Sequence, residues 1–72
     1  MEVEIRYPTT QDNNGYPAVY KRLVEHHNSP ATARKWAANA ITNLLKQYPQ
    51  AQGHIKIAAG TKPFDDAASI NW

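Results

Sequence analysis

A chain of 72 residues and 8.1 kDa folds as one small domain, since surface scaling lets it bury only about 60% of its unfolded surface. That excludes a second domain, a repeat array and a large lidded cofactor cleft. Cysteine is absent, so disulfide staples and thiolate chemistry are excluded, and a mean hydropathy of −0.68 without a long apolar run excludes a helical membrane span.

The formal net charge of +2 conceals a segregation. The first twenty residues hold Glu2, Glu4 and Asp12 against Arg6, and the last ten hold Asp65 and Asp66. Between them, from Lys21 to Lys62, seven cations face only Glu25, leaving +6. A basic centre of this kind suits an acidic partner surface or nucleic acid, and it weakens with salt.

In chain order, Glu2 to Tyr7 alternates, with Val3, Ile5 and Tyr7 on one side and Glu2, Glu4 and Arg6 on the other, which predicts a half-buried strand. Pro8 to Gly15 is rich in turn formers and predicts a loop or long hairpin connection with Asn14-Gly15 at its tip. Residues 17–27 fit a helical stripe through Val19, Tyr20, Leu23, Val24 and His27. They also fit a second strand pairing back on the first, and the strand is the reading adopted.

Ser29 as N-cap and Pro30 in the first turn predict a helix from Pro30 to about Gln47. Its apolar stripe runs through Ala33, Trp36, Ala37, Ala40, Ile41, Leu44, Leu45 and Tyr48, with Trp36 at the centre of the stripe and expected in the core. Pro49 stops it. His54 to Ala58 predicts a third strand ended by Gly60, and Thr61 to Trp72 is expected to be a tail in which Phe64, Ile70 and Trp72 cross the core. The fold class is therefore α+β, a single ββαβ domain over residues 1–72 with one amphipathic helix on a three-stranded sheet.

Catalytic chemistry finds little support in these residues. Gly60-Thr61-Lys62 inverts the end of a phosphate-binding loop, and His26, His27, His54, Asp65 and Asp66 lack the spacing of metal ligands. Ser29 serves as a helix cap, and Ser69 has no identifiable base nearby. No enzyme activity, metal or cofactor is expected.

Ser29-Pro30-Ala31-Thr32-Ala33-Arg34-Lys35-Trp36 resembles the recognition helix of helix-turn-helix and excisionase-type DNA binders. That resemblance implies duplex contact through Thr32, Arg34 and Lys35. It departs from the family pattern at Arg22 and His26, where apolar residues belong, and at Leu23, where a small one does. The hairpin, Ser-capped helix and closing strand are, as an architecture, similar to several small phage-encoded antagonists, anti-CRISPR proteins among them. This second resemblance implies a minimal scaffold that occludes a surface of a larger host complex.

The sequence is therefore expected to encode a cytoplasmic, non-enzymatic binding module for a host protein or nucleoprotein complex. Its partner-binding residues are expected to be Arg22, Arg34, Lys35 and Lys56, and a small DNA-binding accessory protein is the alternative.

Overall fold

The structure, a computed structural model, describes residues 1–67. Strands β1 (Glu2–Gln11) and β2 (Pro17–His26) are followed by helix α1 (Pro30–Gln47), a 3₁₀ turn at Pro49–Ala51, and strands β3 (Lys56–Ala59) and β4 (Lys62–Asp66). The four strands form one antiparallel sheet in the order β2-β1-β3-β4. The α+β class stands, and the sheet has four strands rather than three.

The alternation in β1 sends Val3, Ile5 and Tyr7 under the helix, where they meet Ile55, Ile57 and Ala59 from the β3 side. Val3, Ile5 and Ile57 are almost wholly buried, each worth about 1.5–3 kcal/mol of transfer free energy. From above, α1 contributes Leu44 together with Ala33 and Ala37, whose small side chains let the helix lie close to β1. Trp36, expected in the core, packs against it and is not one of its buried residues. It is half-buried on the β2 side, its ring 5.3 Å from that of His27, because the helix axis lies over β1 rather than β2.

Both helix ends are closed locally. The Ser29 hydroxyl accepts from the Thr32 amide at 3.3 Å, as an N-cap should. At the other end the Tyr48 amide donates to the Leu44 carbonyl at 2.7 Å, and Pro49 then turns the chain. Among the described residues no helix is long and apolar enough to cross a membrane.

Strand β1 continues through the expected loop as far as Gln11, so only Asp12–Tyr16 turns. Met1 and His27 exchange both backbone hydrogen bonds, at 2.6 and 2.7 Å. By the alternation of an antiparallel ladder, Val3, Ile5 and Tyr7 then bond to β2, while Glu2, Glu4, Arg6 and Pro8 turn their backbone groups toward β3. The β3 ladder ends at the Arg6–Lys56 pair, so Pro8 lacks its N–H where no strand waits for it. Asp12 then closes the turn, its Oδ1 accepting from the amides of Asn14 and Tyr16 at 2.8 and 2.9 Å.

The fourth strand arises from Gly60-Thr61, a two-residue hairpin loop closed by the Ala59–Lys62 pair, with Gly60 at φ +59°. Phe64 belongs to this strand and not to a tail. The roles expected of Ile70 and Trp72 concern residues outside those described. β3 begins at Lys56 rather than His54, leaving the buried Ile55 on its approach.

Candidate functional site

The helix covers one face of the sheet and leaves the other open. Residues paired across antiparallel strands share a face, so the open face can be built row by row from the register. One row runs Arg22, Arg6, Lys56, Asp66 across all four strands. The next holds Val24, Glu4 and Ala58, and Tyr20 stands opposite Pro8 on the other side of the charged row.

Glu4 organises the row. Its Oε2 accepts from Arg6 Nε at 2.9 Å and its Oε1 from Arg22 Nη1 at 3.2 Å; the Glu4 side chain is 15% exposed and the two arginine side chains 50% and 67%. The Arg6 guanidinium carbon also lies 3.8 Å from the centroid of the Phe64 ring. Arg6 is thus fixed from β1 itself and from β4. On the far side of it, Lys56 forms an ion pair with Asp66. The hydrogen bond to the Asp66 carboxylate holds the Lys56 ammonium above the ordinary lysine value of 10.5.

Apolar surface borders these charges. Tyr20, Val24 and Phe64 are 50%, 47% and 37% exposed, so half of the large exposed hydrophobic side chains among the described residues lie on this face. Aromatic rings beside oriented arginines are the composition of interface anchors.

The four expected partner-binding residues do not form one site. Arg22 and Lys56 leave the inward side of their strands as expected, and they flank Arg6 in a single row. Arg34 and Lys35 are exposed on the outer side of α1, across the domain from that row. They belong to a second surface. Helix α1 carries Arg34, Lys35 and Lys46 and no acid, and none of the three has an ion-pair partner among the described residues.

The sequence reading missed Arg6, Tyr20 and Phe64. Arg6 stands near Glu2 and Glu4, outside the basic centre, although its alternation with Glu4 places it on the open side. Phe64 was lost with the fourth strand.

The helix-turn-helix resemblance fails in its first half. Residues 17–26 are strand β2, and α1 is the only α-helix among the described residues. The Ser29–Trp36 segment therefore has no preceding helix to set it in a groove. Its histidines go separate ways: His26 and His54 are exposed, while His27 packs on Trp36, and no three His, Asp or Glu side chains converge among the described residues.

No protein-family model, no curated protein and no solved structure matches this chain.

Proposed function

We propose that the protein is a non-enzymatic binding module that docks a partner protein on the helix-free face of its sheet. The observation that carries this reading is the Arg22–Arg6–Lys56 row, held by Glu4, Phe64 and Asp66 and bordered by exposed Tyr20 and Val24. Three cations on this face, Arg6, Arg22 and Lys56, stand among three acids, Glu2, Glu4 and Asp66. A balanced face with aromatic anchors matches a protein surface better than a bare polyanion.

The acid-free outer side of α1 supports a second contact, with nucleic acid or an acidic segment of the same assembly. A nucleoprotein partner offers both kinds of surface. Occlusion of a host nucleoprotein complex, in the manner of small phage-encoded antagonists, is the form of activity we propose, and direct duplex binding through Arg34 and Lys35 is the alternative.

Affinity capture with the wild-type chain and with a folded Tyr20→Ser/Arg22→Ala variant tests the sheet face. The captured partner should be lost with that variant and retained at low salt by Arg34→Glu/Lys35→Glu. Retention of the partner by the sheet-face variant overturns the assignment. Steeply salt-dependent binding of naked duplex that is abolished by the helix variant favours the DNA-binding alternative.

A further inference from the structure

Strand β2 is a sheet edge, and it is an unusually complete one. It runs ten residues, and only Leu23 among its central residues packs against the core, because α1 lies over β1. The opposite edge, β4, has five residues, a proline at Pro63 and two adjacent acids. Edges of the second kind resist pairing, whereas a long regular strand with free backbone groups invites it.

The ladder phase says which groups are free. Since Met1 and His27 exchange hydrogen bonds, Lys21, Leu23 and Glu25 are satisfied by β1. Tyr20, Arg22, Val24 and His26 turn their N–H and C=O groups outward. The regular edge ends at Val19, whose φ of +53° breaks the ladder between the Pro8–Tyr20 and Thr10–Ala18 pairs. The usable edge is therefore Tyr20 to His26, a stretch centred on Leu23.

That stretch is complementary to itself. On the helix side of the sheet it reads Lys21, Leu23, Glu25, a cation and an anion placed symmetrically about an apolar residue. Lys21 has no ion-pair partner among the described residues, and the half-exposed Glu25 carboxylate has only His27 Nε2, at 3.8 Å. We propose that β2 pairs antiparallel with β2 of a second copy of this chain, across a two-fold axis at Leu23, to give one continuous eight-stranded sheet.

In this register Leu23 faces its own copy, Lys21 faces the partner's Glu25, and Glu25 faces the partner's Lys21. The outward-facing backbones of Tyr20, Arg22, Val24 and His26 supply the hydrogen-bonded pairs. Only even shifts preserve the ladder phase. A shift one way sets Arg22 against itself, and a shift the other way sets Leu23 against a carboxylate and Arg22 against His26, so the charges select the Leu23-centred register. Such an interface is isologous, the same patch on both copies.

A cleft of about 370 Å³ on the helix side of β2, lined by Leu23, Trp36, Ala40 and Asn43, borders this edge. The pairing covers apolar surface that the helix leaves half-exposed. It is independent of the partner assigned to the open face, which it would extend rather than bury.

Charge exchange tests the register. Sedimentation across a concentration series should show wild-type dimers, and Lys21→Glu or Glu25→Lys alone should each weaken dimerisation about tenfold or more by creating two like-charge contacts. An equimolar mixture of those two variants should dimerise again, because each supplies the charge the other lacks. A wild-type chain that stays monomeric at millimolar concentration, or single variants that dimerise as the wild type does, overturns the proposal. The chain has no cysteine, so Leu23→Cys offers an independent readout: it should cross-link between copies under mild oxidation far faster than Asn13→Cys. Equal rates for the two also overturn it.

Discussion

Arg6 and Phe64 come from opposite ends of the chain and meet on one face, the guanidinium carbon 3.8 Å from the ring centroid. The contact joins β1 to β4 across β3, so it reports on whether the fourth strand is in place. A double-mutant cycle with Arg6→Met and Phe64→Leu, read by urea denaturation, should give a coupling of about 0.5–1 kcal/mol. A coupling of zero would place Phe64 away from Arg6 in solution.

Core truncation should separate the centre of the sheet from its flank. Ile5→Ala removes a fully buried side chain that faces both Leu23 and Ile57, and should cost about 2–5 kcal/mol, enough to unfold much of a domain this small. Trp36→Ala should cost less than Ile5→Ala because the indole is only partly buried. Melting curves of the two variants check the order, and a greater loss at Trp36 would return it to the core.

Val19 holds a φ of +53°, a conformation that β-branched residues rarely adopt. Its side chain is exposed, and the Thr9 hydroxyl donates to its carbonyl at 2.7 Å. Val19→Gly should therefore stabilise the domain by about 0.5–1 kcal/mol, against the usual direction for a strand glycine. A fall in melting temperature would show that the left-handed geometry is not maintained in solution.

The Lys56–Asp66 pair sets an alkaline limit. Because the folded state raises the Lys56 pKa above 10.5, its stabilisation is fully present below that pH and is lost as pH rises through the raised value. Stability measured from pH 8 to 12 should fall more steeply for the wild type than for Lys56→Met, whose difference from wild type should shrink at the alkaline end. Parallel curves would mean that the pair adds nothing to folding.

How far the residues announced this fold depends on the range of the forces involved. The helix was legible from end to end, since Ser29, Pro30, the 3.6-residue stripe and Pro49 all act within a turn or two. The first strand was legible as far as Tyr7 and then misread, because Pro8 is a strand breaker unless its missing N–H faces an unpaired edge, and that depends on where β3 begins about fifty positions later. The fourth strand had a local signal in Gly60-Thr61, a two-residue loop between Ala59 and Lys62, but its own residues are too few and too polar to alternate clearly. Of the charged row, Arg22 and Lys56 stand out by charge alone. Arg6 needed the register that sets it between them, and no local pattern encodes that. Arg34 and Lys35 were correctly placed in water, and only the packing of helix on sheet shows that they face away from the other two.

The central place of β1 also bears on how the chain folds. Its partner β2 is joined to it by the short Asp12–Tyr16 turn, so this ribbon closes on the microsecond scale of isolated hairpins. Its other partner, β3, lies about fifty residues downstream, so pairing β1 with β3 closes the longer and costlier loop. Destabilising changes at the Ile5–Ile57 pair should therefore act on the folding rate when they weaken docking of β3. Changes confined to the outer end of the hairpin should act chiefly on how fast it frays.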